Sequence, residues 1–429
     1  MKPATSPSRR RLFAMLGPWL ACTVLLGAPA QDATRALPSP TPGWPQWRGP
    51  HRDGVSMEKG LLQKWPEGGP KKLWAINGIG KGFGSPAIVG DTIYIAGDVG
   101  EELVVLALDL AGKVKWRTTN GKSWKKSHPG GRPTCCFDDG KLYLVNAHGR
   151  LACLNAADGA ELWAVNILED FGGKNITWGV SESVLVDGDM VFATPVGAKA
   201  LMVALDKRTG RTLWATPPIP GEELSYASAI LASVAGRKQL ITSSARQVFG
   251  VDAKSGKMLW QQAHVIPKKV IGMSPVFHRD SVFVGSATKD IGRAFRLKIT
   301  GKQPEVIWTA PLGETYAGNV VCVDGEVVGA QKSKLKQWLL IDAENGEIKH
   351  TEKGMDGGSV IHADNRFYCL TDRGLIRLLK STKQGFETMG QMQAIKKRNV
   401  WSHPVICNGR LYLRYHDTLH CFDIRRRGK

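Results

Sequence analysis

Residues 204–214 read ALDKRTGRTLW, and this stretch decides the fold because its pattern recurs along the chain. A small or apolar residue is followed by Asp206, then by Gly210 and finally by Trp214. Similar stretches end at Trp116, Trp163 and Trp260, and successive tryptophans lie between 42 residues (Trp74 to Trp116) and 51 residues (Trp163 to Trp214) apart. A repeat of about 45 residues is typical of β-propeller blades. The residues assigned to the recurring motif are Trp74, Asp109, Trp116, Trp163, Asp206, Trp214, Asp252, Trp260, Trp308 and Asp342.

Two copies of the motif are eroded. The copy that ends at Trp308 lacks the Asp, and the copy that begins at Asp342 has His350 where a Trp is expected. An indole placed once per repeat packs against the neighbouring repeat, and the Asp-Gly pair shapes the turn before it. We therefore interpret the motif as structural rather than as a cofactor site.

Each repeat contains several short β-rich runs joined by tight turns. In the second repeat the runs are separated by Asp-Gly, His-Gly and Asp-Gly, and they are Thr134–Phe137, Lys141–Asn146, Arg150–Asn155 and Glu161–Val165. Four short strands with turns of this kind predict one propeller blade.

The number of repeats predicts eight blades. They lie near residues 84–116, 132–163, 180–214, 226–260, 272–308, 316–350, 357–391 and 401–425. The last contains three strands, and the isolated run Lys71–Ile76 would supply the fourth. Closure by the two chain ends removes open sheet edges. We predict an all-β, eight-bladed propeller over residues 71–425, closed by an N-terminal strand.

The N-terminal residues are predicted to direct export. Arg9–Arg11, an apolar run and a small-residue ending at Ala30 predict a signal peptide over residues 1–30. The arginines also resemble a twin-arginine signal, so the Sec and twin-arginine routes stay open, and Cys22 is a weak cue for lipidation. Residues 31–43 are predicted to be a disordered Pro-rich leader, and residues 44–70 to form a segment, called the clasp below, that packs on the propeller. We expect a periplasmic or envelope location and no transmembrane span in the mature chain.

Composition leaves two interpretations of the charge open. The chain has 429 residues, 42% hydrophobic and 22% charged, with a formal net charge of +20. The excess of basic residues fits an anionic partner, but it also fits solubility alone. Seven cysteines after residue 30, spread through strand-like runs, predict small buried side chains rather than a disulfide framework.

The repeat resembles the tryptophan-docking repeat of the pyrroloquinoline-quinone (PQQ) propeller superfamily. This likeness implies either a quinoprotein alcohol dehydrogenase-like fold with a cofactor or a cofactor-free propeller such as the BamB-type subunit of outer-membrane assembly. Exported PQQ-like repeat proteins of planctomycete type are a third, more similar group. The motifs that carry that likeness are Trp44–Pro50 with Asp53-Gly54, Asp170–Gly173, Trp178–Ser183 and Trp401–Pro404.

The loops that join consecutive blades are predicted to share one face. They are residues 117–131, 164–179, 215–225, 261–271, 309–316, 351–356 and 390–400. A set of basic residues in these loops, called the basic rim, could face an anionic ligand, although ordinary solvated lysines on long loops are the simpler explanation. The basic rim consists of Lys122, Lys125, Lys126, Lys268, Lys269, Lys396, Lys397 and Arg398. The candidates for the channel or a ligand site are Trp178, Glu182, Tyr226, Asn319, Trp401 and His403.

Two functions follow from these residues. The first is a non-catalytic binding or scaffold protein of the envelope, BamB-like, monomeric, with a protein partner or an anionic ligand on the basic face and no nucleic acid. It requires no cofactor, metal or catalytic residue. The alternative is a PQQ-dependent oxidoreductase with calcium, to which Trp178, Glu182 and Asn319 could contribute. Cys135-Cys136 resembles the vicinal disulfide of some quinoproteins, but strand alternation favours two separate buried thiols.

Overall fold

The structure is a computed structural model that describes Met1 and residues 43–265, 271–287, 292–300, 303–312, 319–331 and 335–426. The predicted signal peptide, Cys22 and nearly all of the predicted leader lie outside the described residues, as do Lys268 and Lys269. Among the described residues, no helix has the length and apolar character needed to cross a membrane.

The described residues form strands throughout and one short helix. Two strands precede the first complete blade: β1 (Val55–Ser56) and β2 (Lys71–Ile76). Blades one and two consist of β3 (Ala87–Val89), β4 (Thr92–Val99), β5 (Glu102–Asp109), β6 (Val114–Lys122), β7 (Cys136–Asp138), β8 (Lys141–Val145), β9 (Arg150–Asn155) and β10 (Glu161–Asn166), followed by helix α1 (Ile167–Phe171). Blades three and four consist of β11 (Leu185–Asp187), β12 (Met190–Ala193), β13 (Val203–Asp206), β14 (Thr212–Ala215), β15 (Ile230–Val234), β16 (Arg237–Ser243), β17 (Gln247–Asp252) and β18 (Met258–Ala263).

Four more blades complete the ring. Blades five and six consist of β19 (Val276–His278), β20 (Ser281–Ala287), β21 (Gly292–Lys298), β22 (Glu305–Ala310), β23 (Val321–Val323), β24 (Glu326–Ala330), β25 (Gln337–Asp342) and β26 (Ile348–Lys353). Blades seven and eight consist of β27 (Gly358–Ala363), β28 (Arg366–Thr371), β29 (Leu375–Thr382), β30 (Gly385–Gln393), β31 (Val405–Cys407), β32 (Arg410–Tyr415) and β33 (Thr418–Asp423).

The described strands make eight sheets, which confirms the predicted eight-bladed propeller. Consecutive strands of each blade pair antiparallel, and the two middle strands carry most of the buried apolar residues. The order β2-β33-β32-β31 confirms that Lys71–Ile76 completes the last blade and closes the ring. The chain ends thereby bury what would otherwise be an open sheet edge.

Five of the recurring tryptophans pack as predicted against the next blade: Trp74, Trp116, Trp163, Trp214 and Trp308. Trp163 Nε1 donates to the carbonyl of Lys207 at 3.0 Å, and a Cβ atom added at Gly210 would lie 2.8 Å from the indole. Gly210 therefore has to be glycine for two reasons, since its φ is also +74°. Asp206 Oδ1 accepts from the backbone N–H of Arg208 and of Thr209, which fixes the same turn.

The eroded copies show how the packing adapts. His350 replaces the indole and lies 5.6 Å from Phe386, centroid to centroid, against the following blade. Trp260 precedes the blade whose copy of the motif lacks the Asp, and its Nε1 donates instead to Gln239 of its own blade at 2.8 Å. An aromatic ring is thus kept at both positions, and His350 still packs beside a glycine turn, since a Cβ atom added at Gly385 would contact its imidazole.

All eight outer strands carry an irregularity that sequence inspection did not indicate. The pairing register of each outer strand shifts by one residue beside the docking position, which is the position that Trp163 occupies in β10. In β10 the shift falls between Glu161 and Trp163, so that Leu162 has no partner on β9. A bulge of this kind re-aims the next side chain. It turns the docking residue towards the neighbouring blade and leaves Leu162 49% exposed.

The clasp crosses the channel and bonds to seven blades in the described part of the chain. It meets the first strands near their C-terminal ends: Trp44 exchanges backbone hydrogen bonds with Ile88, Phe137 N–H donates to Pro45, and β1 pairs in parallel with β27. Further along, the Leu62 N–H donates to Ile424 at 2.7 Å. The channel is therefore filled at the end where the first strands finish.

Two buried arginines hold the clasp in place. Arg48 donates to the carbonyls of Asp53 (2.8 Å) and Val320 (2.6 Å), and is 1% exposed. Arg52 donates to the carbonyls of Ser183 (2.5 Å) and Val184 (3.1 Å). Burial lowers the pKa of each guanidinium to about 10, so both remain charged at neutral pH. The hydrogen bonds to these charges come from carbonyl oxygens, and the nearby carboxylates of Asp53 and Glu182 stabilise Arg48 and Arg52, respectively.

The loop predicted over residues 164–179 contains α1. Asn166 caps the helix by accepting from the N–H groups of Leu168 and Glu169, and Gly172 ends it with a φ of 69°. These are ordinary helix-start and helix-end signals. They were missed because the helix is a single turn inside a β repeat.

Candidate functional site

A cup-shaped cavity of about 120 Å³ lies in the channel on the face of the inter-blade loops. Rings dominate its wall: Trp47, Phe83, His128, Trp178, Tyr226, Trp401 and His403. The other lining residues are Arg132, Ser181, Ser183, Ser228, Gly272 and Asn319. The structure thus brings together five of the six channel candidates, Trp178, Tyr226, Asn319, Trp401 and His403.

The rings of the cup pack against one another in two groups. Trp178 and Tyr226 have centroids 5.2 Å apart, and the backbone N–H of Trp178 donates to the Tyr226 hydroxyl at 3.4 Å. Trp401 stacks on Phe83 at 5.3 Å and meets the edge of His128 at 4.9 Å. Separations in this range are favourable for aromatic pairs. Each large ring is therefore fixed by a neighbour before any ligand arrives.

A half-buried carboxylate also orients Trp401. Its Nε1 donates to Asp372 Oδ1 at 2.7 Å. Burial raises the pKa of Asp372, while the indole bond and nearby arginines lower it. The carboxylate stands behind the indole and does not line the cup.

Arg132 is the charged residue of the described cup wall. Its guanidinium donates to the carbonyls of His128 (2.8 Å), Gly130 and Trp178, and lies over Phe83 at 5.8 Å and over Trp124 at 5.2 Å. Burial lowers its pKa to about 10, which leaves it charged at neutral pH. One side chain therefore ties the loop of blade two to that of blade three and supplies positive charge to the cup.

A chain of side-chain hydrogen bonds runs around the channel below the rings. In blades one to five, the residue two positions before the first strand donates its N–H to the side-chain oxygen of its counterpart in the next blade. These bonds run from Ser85 to Thr134 (3.0 Å), Thr134 to Ser183 (3.0 Å), Ser183 to Ser228 (2.9 Å), Ser228 to Ser274 (3.0 Å) and Ser274 to Asn319 (3.0 Å). A further bond joins blade one to blade eight, because Ser85 Oγ donates to the carbonyl of His403 at 2.9 Å. Asn319 thus has a structural partner, and the cup has a rigid lower wall.

The floor of the cup comes from the clasp. Trp47 Nε1 donates to Ser274 Oγ at 3.4 Å, and its ring lies 4.5 Å from that of His403, which is also 3.4 Å from the Asn319 amide through Nε2. Because the clasp fills the channel beneath Trp47, the cup is closed below and faces the inter-blade loops.

Glu182 does not line the cup, contrary to its assignment as a channel candidate. Its carboxylate accepts from the Thr194 N–H (2.9 Å) and the Thr194 hydroxyl (2.8 Å), within blade three. Burial raises its pKa to about 7, partly offset by those hydrogen bonds and by the Arg52 charge. Strand alternation explains the placement: Ser183, one position on, points to the channel, so Glu182 points away.

The described lining does not fit the calcium–quinone pair of the alternative function. Calcium takes six to eight oxygen ligands, usually with carboxylates among them, and a quinone dehydrogenase needs a carboxylate base. No carboxylate belongs to the described lining, and Asn319 Oδ1 already accepts from Ser274. Nor do three His, Cys, Asp or Glu side chains converge anywhere among the described residues.

The described residues of the basic rim are exposed and lie in the predicted loops or at strand ends. Lys122 ends β6, and Lys126 lies over Trp124 at 5.7 Å, in the loop that carries His128. Lys125 pairs with Glu101 at 3.0 Å. Lys396, Lys397 and Arg398 precede Trp401 in the loop after β30.

Cys135 and Cys136 are free buried thiols that belong to different packing clusters. Burial raises the pKa of each thiol to about 12, so neither is nucleophilic at neutral pH. The placement agrees with the alternation expected of adjacent strand residues.

Eight described lining residues were not among the candidates, and four of these carry a ring or a charge: Trp47, Phe83, His128 and Arg132. Trp47 stood in a motif that had been noticed, but nothing in the sequence shows that the clasp enters the channel. Phe83, His128 and Arg132 lie in loops before first strands, the position from which Trp178, Tyr226 and Trp401 were chosen. A search of every such loop for aromatic and basic residues would have found them.

The chain is similar in sequence to several known proteins. Residues 101–352 match the family model described as outer membrane protein assembly factor BamB. BamB of Shewanella oneidensis is 22% identical over 54% of this chain and 55% of that protein. Tetrathionate hydrolase of Acidithiobacillus ferrooxidans is 23% identical over 56% of this chain and 52% of that protein. The chain spans about half the length of these curated relatives.

A solved structure extends the likeness over most of the chain. The quinohemoprotein alcohol dehydrogenase of Comamonas testosteroni superposes with a TM-score of 0.62 and 13% identity, covering 92% of this chain and 82% of that one. At this identity the likeness concerns the fold alone.

Proposed function

This chain belongs to the PQQ-like β-propeller family described as outer membrane protein assembly factor BamB, and from that premise we propose that it is a non-catalytic binding protein of the cell envelope. The proposed role is BamB-like: a rigid ring that presents its inter-blade loops to a protein partner. Export to the periplasm or envelope is part of the proposal.

The composition of the cup carries the proposal. Its described wall offers rings, hydroxyls, one amide and one guanidinium, but no carboxylate to abstract a proton or bind a divalent cation. Trp47 and the rest of the clasp block the channel below. Such a site can bind and orient a group, but its described lining has no carboxylate to act as the base of a quinone dehydrogenase.

The basic rim supports a partner on the same face. Lys396, Lys397 and Arg398 are consecutive and exposed, and they share a loop with Trp401 of the cup. Exposed charges of one sign steer and orient an encounter with an oppositely charged partner. We therefore expect an acidic surface on the partner.

The alternative remains a PQQ-dependent oxidoreductase. The aromatic cup lies in the channel, and an aromatic floor is the kind of support that a planar cofactor needs. The described lining argues against it, because the cation ligands and the base are missing.

Genetic complementation tests the proposal. We expect deletion of the gene to lower the amount of outer-membrane β-barrel proteins, measured by quantitative mass spectrometry of membrane fractions. The wild-type gene should restore these amounts, and the triple variant Lys396→Glu, Lys397→Glu, Arg398→Glu should not.

A matched control separates the basic rim from net charge. The triple variant Arg211→Glu, Lys254→Glu, Lys257→Glu changes the charge equally, but its exposed residues lie by the turns that begin the outer strands, at the opposite end from the inter-blade loops. It should complement fully. Unchanged barrel proteins after deletion, or equal failure of both variants, would contradict the proposed role.

A further inference from the structure

We propose that the cup binds a single aromatic ring carrying an anionic group, and that Trp47 of the clasp is the floor on which this ring rests. The inference adds a ligand class to the proposed function. It rests on the proposed function in one respect, namely that the protein binds this ligand without transforming it. Four observations carry it: the size of the cavity, the rings around it, its charge and the anchoring of its floor.

The size of the cavity suits one ring. Its volume is about 120 Å³. An apolar cavity of about 150 Å³ in another protein takes up benzene. A six-membered ring therefore fits with its substituent directed to the open face, whereas a three-ring molecule would need the walls to move.

The wall is built to contact an aromatic ring. Trp47, Trp178, Trp401 and Tyr226 surround the space, and each is fixed by a hydrogen bond or a ring neighbour. Aromatic pairs are favourable beyond the area that they bury. Because these rings are already ordered, little side-chain entropy is lost when a ligand ring enters.

The polar groups of the described wall favour a negative substituent. Arg132 supplies a positive charge, and the hydroxyls of Ser183 and Ser228 each accept a backbone N–H, which leaves their own protons to donate to a ligand. Asp98 and Asp372 do not line the cup: Asp98 Oδ2 accepts from the Trp124 N–H at 2.9 Å, and Asp372 accepts from the Trp401 indole. An anion entering the cup therefore meets donors and a cation rather than a carboxylate.

The floor depends on contacts far from the cup. Trp47 is adjacent to Arg48, whose bonds to Asp53 and Val320 anchor this part of the clasp to blade six. Its indole also donates to Ser274 of blade five. The clasp motif, Trp44–Pro50 with Asp53-Gly54, thus has a role in binding, because it positions the Trp47 ring as the floor of the cup and holds that ring in place.

A probe series tests the ring and the charge separately. Benzoate, benzyl alcohol, benzylammonium and cyclohexanecarboxylate would each be titrated into the purified protein, with calorimetry for tight binding and saturation-transfer NMR for weak binding. We expect benzoate to bind at least tenfold more tightly than each of the other three. Added salt should weaken benzoate binding and leave benzyl alcohol binding almost unchanged.

Substitutions test the location. Trp47→Leu should reduce benzoate affinity at least tenfold and Trp47→Phe should restore most of it, while Trp163→Leu, in an outer strand, should have no effect. Arg132→Gln should abolish the preference for benzoate over benzyl alcohol, with Arg211→Gln as the control. If Arg132→Gln lowers the melting temperature strongly, the salt dependence of the wild-type protein tests the charge instead.

The outcomes separate this inference from the proposed function. Equal affinity for benzoate and benzyl alcohol, affinity unchanged by Trp47→Leu, or no saturable binding of any probe would overturn the inference while leaving complementation by the gene unaffected. Conversely, benzoate binding by a protein whose gene deletion leaves barrel proteins unchanged would keep the ring site and remove the assembly role.

Discussion

Single residues around the channel are governed by burial more than by ion pairing. Arg48, Arg52 and Arg132 are held by carbonyl oxygens, and Glu182 by the backbone and hydroxyl of Thr194. Burying a charge costs free energy that such bonds only partly offset. The Glu182 pKa of about 7 makes that cost measurable.

We predict that Glu182→Gln stabilises the protein at high pH. Because burial raises the pKa of Glu182 from 4.5 to about 7, the folded state binds the proton more tightly, and the wild-type free energy of unfolding falls as pH rises through this window. The difference between variant and wild type should be small at pH 4.5 and reach about 1–3 kcal/mol at pH 8. Urea unfolding at both pH values measures it.

Glu102→Gln, at the exposed start of β5, is the matched control for that experiment and should change stability little at either pH. A Glu182→Gln variant that is less stable than wild type at pH 8 would show that its hydrogen bonds outweigh the cost of burial.

At the scale of the strand and the turn, six described blades contact the next blade through one aromatic side chain beside a glycine turn; these side chains are Trp74, Trp116, Trp163, Trp214, Trp308 and His350. The bulge before Trp163 directs its indole across the blade boundary to Lys207 and Gly210. The same bulge occurs in every blade, including those where the motif is eroded. The bulge is therefore the feature that all described blades share, and the aromatic contact accompanies it in six of them.

A pair of glycines isolates this contact. Gly188 and Gly210 both have left-handed backbone, with φ of 59° and 74°, but only at Gly210 would a methyl group meet Trp163. We expect Gly188→Ala to cost about 1 kcal/mol, from the backbone alone. Gly210→Ala should cost about 1–3 kcal/mol more, because the indole must move. Equal losses in thermal unfolding would mean that the docking contact contributes nothing.

At the scale of the whole molecule, the ring is closed twice. β2 completes the last blade, and the clasp ties seven blades together through the channel. The first closure removes a sheet edge, whereas the second shapes the cup.

Arg48→Met should loosen the second closure. It leaves the carbonyls of Asp53 and Val320 without their donor, at an expected cost of about 2–4 kcal/mol. Limited proteolysis should then cut within the clasp. Arg208→Met, on an exposed turn, should change stability by less than about 0.5 kcal/mol. If the clasp resists proteolysis equally in Arg48→Met and wild type, the arginine is not its anchor.

The repeat made the propeller predictable, since Asp, Gly and Trp at fixed positions define a turn and a docking contact whatever the rest of the blade contains. The first strands were placed well enough that Trp178, Tyr226, Asn319, Trp401 and His403 could be chosen together. Glu182 was misplaced because alternation along one strand was not followed residue by residue. Trp47 could not be placed, because the path of a segment through a channel depends on contacts with seven blades and not on local pattern.

The central claim is that the cup binds without catalysing a reaction. Its most direct test is dye-linked oxidation of primary alcohols by the purified protein supplied with PQQ and calcium, with calorimetric titration of PQQ alongside. The account predicts no oxidation above the rate without protein. Saturable PQQ binding with turnover that is lost in Trp401→Ala would contradict it and identify an oxidoreductase.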